Sequence, residues 1–503
     1  MSDVNGVNST NESRLTLADV CEGICGWRPA GRVPAQSFST VVVDSRQAQP
    51  GSLFVALMGE QADGHDYVAH AFDRGAVAAL VGRDVAVDGA VIPLQDFVDT
   101  GEFPSSLEGA PPFLLRVADP LLALQQVAAF WRRRHTLRVI GVTGSVGKTT
   151  TKELTADVLA RRYVTLKSEA SYNNEIGLPL TLLRLTPDHE RAVLEMGMYD
   201  VGEIADLARI ARPHVGVVTI VAPVHLERAG TIERITQAKQ ELVEALPPAP
   251  EGVAILNYDD ERVRGMASAT QARVFFYGLS PQADLWADEI NGLGLEGIRF
   301  RLHYQGEVLH VKIPLLGRHS VHTALRATAV GLVEGLNWQE IIEGLRGPSP
   351  QLRLVAVPGP EGAIILDDTY NSSPASTIAA LNLLEELEGR RIAVLGDMLE
   401  LGDYEQEGHE KVGMRALEVA DILVTVGPRG RLIGETALRW GMPPERVHVL
   451  DDCAAAVALL TDLVTAGDVV LVKGSRAVYM DEIVNALGVH THTMASSLPP
   501  SKA

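Results

Sequence analysis

The chain has 503 residues, enough for about three domains at ~150 residues each. Hydrophobic content of 46% with 21% charged residues fits a soluble globular protein, and a net charge of −20 argues against general affinity for nucleic acid or anionic membrane. Cys21, Cys25 and Cys453 are too few and too scattered for a zinc or disulfide framework, and no leader pattern or membrane-length apolar run stands out, so a reducing compartment, the cytoplasm, is expected.

Residues 1–14 are rich in Ser and Asn and read as disordered. Residues 15–117 read as a small α/β domain. Val41–Val43 is a strand running into the polar turn Asp44-Ser45-Arg46, and Leu53–Leu57 is a second strand. A Ser-Arg pair just past a strand suits an anion clamp, because arginine forks onto phosphate oxygens; an ordinary surface arginine is the plainer reading.

Residues 118–347 read as the central domain. Asp119 is placed to cap a helix over Pro120–Arg134. The apolar run Val139, Ile140, Val142 predicts a buried strand, and a turn holding Gly144 and Gly147 follows. Lys148-Thr149-Thr150 then opens a helix to about Arg161. Strand, glycine turn and helix N-terminus make a phosphate cradle from Thr143, Gly144, Ser145, Val146, Gly147, Lys148, Thr149 and Thr150. Lys148 would reach the β- and γ-phosphates of ATP, and the Thr149 hydroxyl would meet Mg²⁺. Val142 stands where the general pattern has its first glycine.

Further strands fall at 192–196 and 215–221, with helices at about 200–211 and 231–246. That alternation predicts a mainly parallel sheet covered on both faces, with ligands at the carboxyl ends of its strands. Glu195 and His225 both follow strand ends and can reach the rim of the cradle; structural pairing and a plain loop histidine are the alternatives. The helix 231–246 carries an apolar stripe of Ile232, Ile235, Leu242 and Leu246, and Lys239 occupies its missing position. An inward lysine either snorkels outward or stays neutral. A neutral amine reacts with CO₂ to give a carbamate, an extra carboxylate suited to Mg²⁺. A strand ends at Asn257-Tyr258-Asp259-Asp260, strand-like sequence runs to Leu316, and a helix follows from Gly317-Arg318-His319 through Val333.

Residues 348–490 read as a third α/β domain, with strands at 363–366, 392–395, 422–426 and 469–472. Their ends carry Asp367-Asp368-Thr369-Tyr370-Asn371, Gly396-Asp397-Met398, Gly427 and Lys473-Gly474-Ser475-Arg476. An Asp at a strand end is a helix cap more often than a catalyst; Lys473 and Arg476 together would attract an anionic substrate. The tail 491–503 reads as disordered. The fold class is therefore α/β in three domains: a small N-terminal α/β domain, a central P-loop parallel-sheet ATPase-like domain and a C-terminal Rossmann-like domain.

Taken together, these residues resemble the Mur ligases of bacterial cell-wall synthesis, from about Val41 to Val484. Matching stretches are Asp44-Ser45-Arg46, Pro50–Leu57, Asp63-Gly64-His65, Thr143–Thr150, Asn173-Asn174-Glu175-Ile176-Gly177, Glu195-Met196-Gly197, His225-Leu226-Glu227 and Ala238-Lys239. Asp368-Thr369-Tyr370-Asn371 with Pro374, and Lys473-Gly474-Ser475-Arg476, match in the third domain. The run Gly396-Asp397-Met398-Leu399-Glu400-Leu401-Gly402 resembles the branch that adds a D-alanyl-D-alanine dipeptide.

The resemblance implies ATP-dependent amide ligation through an acyl phosphate, with UDP-N-acetylmuramoyl-tripeptide and D-Ala-D-Ala as substrates. It implies Mg²⁺ at Thr149, Glu195 and His225, N-carbamylated Lys239, and Arg353 on the γ-phosphate. It assigns Ser45 and Arg46 to the uridine diphosphate part, and Asn173, Asn174, Asp368, Asn371, Lys473 and Arg476 to the substrate side. The expected roles are UDP-substrate binding for 15–117, ATP binding for 118–347 and ligation for 348–490, in a monomer that neither binds nucleic acid nor inserts into membrane. An acyl phosphate must be kept from water, which implies closure of the third domain over the second.

There are departures. The family's helix start His-Asn-x-x-Asn reads His319-Ser320-Val321-His322-Thr323, so adenine contacts are not carried over. Leu352 stands for a glycine, and Asn371-Ser372-Ser373-Pro374 for Asn-Ala-Asn-Pro. The rivals are the ligase that adds the third amino acid, whose Asp-Asn-Pro-Arg signature is absent, and a Mur-like amidotransferase subunit, whose cysteine ribbon is absent. A nucleotide-binding regulator with a dead site is the rival from another class.

Overall fold

The computed structural model describes residues 14–28, 32–59, 62–103, 106–170, 172–224, 226–347 and 355–488. His225 and Arg353 lie outside the described residues, as do the termini expected to be disordered, apart from Arg14. The chain divides into two compact units. One comprises Met1–Val221, Glu233–Asp284 and Ala324–Gly347; the other comprises Ala222–Ile232, Leu285–Thr323 and Pro348–Ala503.

The first unit holds two parallel arrays of strands. In the N-terminal sheet the order is Val41–Val42, Leu53–Val55, Ala78–Val81, Phe113–Arg116, Ala90–Ile92, every neighbour parallel. Asp119 accepts from the Leu121 and Leu122 amides and starts the helix Pro120–Arg133. Ala123, Leu124, Val127, Ala128 and Trp131 recur at helical spacing and are its buried face.

The second array runs Arg273–Gly278, Val253–Asn257, Val215–Val218, Arg138–Thr143, Arg191–Glu195, Thr165–Lys167, again all parallel. The strand ahead of the glycine turn is therefore interior, and Val139, Ile140 and Val142 are fully buried. A parallel strand covered on both faces needs such a continuous apolar run. The helix Ile232–Glu244 lies close on this sheet because two strands present glycines to it. A Cβ on Gly141 would stand 2.9 Å from Leu242, and one on Gly216 would stand 3.2 Å from the same side chain. That close approach carries Lys239 inward with Ile235 and Leu242.

The second unit holds an antiparallel meander, Leu285–Gly292, Ile298–Tyr304 and Glu307–Ile313. It also holds a six-stranded sheet in the order Val355–Pro358, Ile364–Asp368, Asp468–Lys473, Arg390–Gly396, Ile422–Val426, Val447–Leu450, parallel except at its first edge. Ser373 forms a capping box with Ser376 and starts the helix Pro374–Glu385. The three cysteines are free and buried. Among the described residues no helix is long and apolar enough to cross a membrane.

Candidate active site

The loop after the strand Arg138–Thr143 is held from several sides. Gly144 has φ +141° and Gly147 φ +82°, conformations that side chains rarely adopt, and a Cβ on Gly144 would collide with the Thr219 hydroxyl. Thr219 Oγ1 donates to the Val146 carbonyl at 2.7 Å, and the Ser145 amide donates to Ile220 O at 2.7 Å. Lys148 Nζ donates to Gly144 O at 2.9 Å, and Lys148 opens the helix Lys148–Leu159. Thr150 sits half-buried in its first turn. Thr143 is fully buried and donates to Met196 O at 2.9 Å, so its hydroxyl ties two strands rather than facing the cradle.

Glu195 ends the neighbouring strand and is fully buried. Thr149 Oγ1 donates to its Oε2 at 2.7 Å, and Asn173 Nδ2 donates to its Oε1 at 2.8 Å. The Asn173 and Gly197 motifs interlock: the Gly197 amide donates to Asn173 O at 2.8 Å, and a Cβ on Gly197 would stand 2.9 Å from the Asn173 carboxamide carbon. Asn174 faces elsewhere, accepting from the Gly177 amide at 2.9 Å ahead of the helix Gly177–Leu182.

Lys239 is 2% exposed. Burial, and then the Lys148 ammonium, push its amine well below the usual lysine range. Among the described residues its Nζ has no hydrogen-bond or ion-pair partner. Burial without a partner favours the neutral form of the amine, the form that reacts with CO₂. Among the described residues no group of three or more His, Cys, Asp and Glu side chains is placed to hold a metal ion. The oxygen donors Thr149 and Glu195 fit Mg²⁺, which takes few protein ligands and keeps water and phosphate for the rest.

Motif reading passes over Arg326. It is 5% exposed, and its Nε donates to Thr151 Oγ1 at 2.8 Å while Nη1 donates to Tyr277 Oη at 3.4 Å. A Cβ on Gly147 would stand 3.2 Å from Nη2. The signal available in the sequence is that Arg326 is the one Asp, Glu, Lys or Arg in the run 320–333. Lys152 is also missed. It is fully buried and donates to Ser168 O and Ala170 O at 2.7 and 2.8 Å, with Glu153 at 2.8 Å.

In the second unit, Lys473 is 2% exposed and is consumed internally: Nζ donates to Asp368 Oδ2 at 2.7 Å and to Asn371 O at 2.8 Å. Arg476 is exposed, 5.5 Å from the Tyr370 ring centre. Asp397 is a cap, accepting from the Arg429 and Gly430 amides at 2.9 and 2.7 Å. Its motif meets Lys473–Arg476 through Leu399 N to Ser475 Oγ at 2.9 Å. The backbone at Leu226-Glu227 meets the same motif at Gly402, where a Cβ would stand 3.0 Å from Glu227 N.

In the N-terminal sheet region Ser45 is buried against His70 Nδ1 at 2.9 Å, while exposed Arg46 forks onto Asp44. Asp63 and His65 are structural: His65 accepts from the Gly82 amide at 2.8 Å and pairs with Asp63 at 2.6 Å. A cavity of about 700 Å³ lined by Arg132, His135, Arg212 and His214 opens at the amino ends of the central strands and holds none of the predicted site residues.

Fold and site define a P-loop nucleotide-binding α/β protein. Residues 37–132 match the Mur ligase family catalytic domain, 142–331 the Mur ligase middle domain and 352–476 the Mur ligase glutamate ligase domain. A Synechocystis UDP-N-acetylmuramoyl-tripeptide–D-alanyl-D-alanine ligase is 36% identical over 453 residues, covering 89% of this chain and 92% of the relative. A crystal structure of MurF from Acinetobacter baumannii superposes with a TM-score of 0.79 at 29% identity, covering 94% of this chain and 98% of that one. MurF ligase from Thermotoga maritima in complex with ADP gives 0.72 at 26% identity, covering 89% and 96%. The chain belongs to the Mur ligase family.

Proposed function

We propose that this protein joins D-Ala-D-Ala to UDP-N-acetylmuramoyl-tripeptide at the expense of ATP. The observation that carries the reading is the buried Glu195 carboxylate, held by Thr149 and Asn173 directly beside the Lys148 loop. Similarity to ligases of that name over nearly the whole chain supports the substrates.

A carboxylate is a poor acylating agent, so its oxygen first attacks the γ-phosphorus and ADP leaves, giving an acyl phosphate. The free amine of D-Ala-D-Ala then attacks the acyl carbon, loses a proton, and orthophosphate departs as the amide forms. The Lys148 ammonium and the loop amides 144–149 would hold the phosphates and oppose the charge that builds on the transferring group. Mg²⁺, when bound, supplies further positive charge to the phosphate oxygens. Thr149 and Glu195 would hold it, with His225 and a carbamylated Lys239 completing the set that the family resemblance assigns. The carbamate forms when the neutral Lys239 amine adds to CO₂ and releases a proton.

Ser45 and Arg46 are assigned to the uridine diphosphate part, Arg353 to the γ-phosphate, and Asn371 and Arg476 to the peptide end of the substrate. Asn173, Asn174, Asp368 and Lys473 shape these sites through the contacts described above. The reading includes a monomer in the cytoplasm, where the three free thiols stay reduced.

Phosphate release from ATP and Mg²⁺ tests the reading, measured with UDP-N-acetylmuramoyl-tripeptide, with and without D-Ala-D-Ala. Release that requires both, with a heavier nucleotide product, is expected. Release with a dipeptide precursor and a free amino acid instead would move the protein to the neighbouring ligase. No release with either pair, while ATP binds, would make it a regulator.

A further inference from the structure

We propose that Arg326 is a positioning residue for the nucleotide's phosphates, bracing the phosphate loop from the side of Gly147 and adding a second positive charge beside Lys148. The proposal rests on the reading of this loop as the ATP site.

Two hydrogen-bond chains start at the buried guanidinium. In the first, Nε donates to Thr151 Oγ1 at 2.8 Å, and that hydroxyl donates to the Gly147 carbonyl at 2.6 Å. In the second, Nη1 donates to Tyr277 Oη at 3.4 Å, and the fully buried Tyr277 hydroxyl lies 3.0 Å from the Thr219 carbonyl. Thr219 in turn holds Val146 O through its own hydroxyl. One side chain thus ties the helix end of the loop to the strand end behind it.

Gly147 is the residue whose missing side chain makes room for Nη2. Its φ of +82° turns the chain into the helix Lys148–Leu159. A loop that binds phosphate through backbone amides works only if those amides are already aimed, and a fixed guanidinium aims them. The guanidinium is 5% exposed, and from that buried position its charge acts on phosphate oxygens beyond hydrogen-bond range.

A charge role scales with the charge of the ligand, which separates it from simple packing. Titration calorimetry with Mg²⁺ and either ADP or AMP on the full chain provides the test, with no acceptor present. In Arg326→Met, the dissociation constant for ADP is expected to rise about tenfold or more, and that for AMP to rise less. KM for ATP rises while kcat stays within about threefold, and Arg326→Lys recovers most of the ADP affinity. Should Arg326→Met fail to fold, the comparison passes to Arg326→Lys and Arg326→Gln, the first expected to bind ADP more tightly than the second.

ADP binding within about twofold of the parent in a folded neutral variant overturns the proposal, as does an equal loss for ADP and AMP. Parent protein that binds ADP but does no ligation would sink the ligase reading and leave this test intact.

Discussion

The Thr149 hydroxyl donates to one oxygen of Glu195 and the Asn173 amide donates to the other, at 2.7 and 2.8 Å. Both oxygens of a fully buried carboxylate are therefore aimed by residues from two separate motifs. Glu195→Gln preserves shape but removes the charge and turns one acceptor into a donor. Phosphate release is expected to fall about 100-fold or more, as for loss of a group that stabilises charge at a reacting centre. Denaturant stability should change by only about 1–3 kcal/mol. A folded variant within threefold of parental activity would show that Glu195 is merely structural.

Lys239 makes opposite predictions for stability and activity. Its folded amine titrates well below its ordinary value, while in the unfolded chain it titrates near about 10.4. Between those values the unfolded state binds more protons, so the unmodified fold gains stability as pH rises through that window. Lys239→Met removes the buried amine and should flatten this rise in a bicarbonate-free titration. Melting temperature near neutral pH should be equal or higher, while ligation is lost. Growth or incubation with ¹³C-bicarbonate should label the parent with a carbamate carbonyl and leave the variant unlabelled. A parent protein that stays unlabelled under conditions of full activity would remove carbamylation from the mechanism.

The parts of this fold that were legible in the sequence are local. The phosphate loop is a contiguous strand, glycine turn and helix start, and the Lys239 stripe is a spacing within one helix. What the sequence leaves open depends on distant partners. The strand predicted over 215–221 stops at Val218: the Thr219 amide still donates to Thr143 O, but the Thr219 hydroxyl and the Ile220 carbonyl turn to hold Val146 and Ser145. The strand predicted over 53–57 stops at Val55, and Leu57 turns to accept from Gly64 N. Lys473 reads as an anion attractor until Asp368, over a hundred residues earlier, is placed beside it. Arg326 carries no motif because its partners, Thr151 and Tyr277, come from two other parts of the chain.

The Lys473–Asp368 pair yields a double-mutant test. Both groups are buried, so removing one takes from the other a charge that it pairs with at 2.7 Å. Lys473→Met alone should destabilise the second unit by about 3–5 kcal/mol. Lys473→Met with Asp368→Asn should recover a large part of that, because the carboxylate charge that Lys473 balanced is removed with it. Chemical denaturation of the four proteins measures the coupling. Additive losses would mean that the two groups act independently, with Lys473 available to a substrate anion after all.

His409 sets an acid limit on the loop that carries Asp397 and Met398. The ring is fully buried; Nδ1–H donates to Glu405 O at 2.7 Å, and Nε2 accepts from the Met398 amide at 3.2 Å. Burial pushes its pKa below the ordinary imidazole range, so the folded ring stays neutral where the unfolded one, near about 6.5, takes a proton. Below that value the unfolded state binds the extra proton, and stability falls as pH falls until the folded pKa is reached. Above about 6.5 the contribution is constant. His409→Gln does not titrate and keeps an oxygen to accept from Met398. Its stability between pH 5 and 7 should therefore depend less steeply on pH, by up to about 1.4 kcal/mol per pH unit. His135, His189 and His214 are pushed the same way by burial, so some slope remains in the variant. Melting curves at half-unit pH steps measure both slopes. Identical slopes would mean that the ring takes up its proton over the same pH range in the fold as in the unfolded chain, against the hydrogen bond it accepts from Met398.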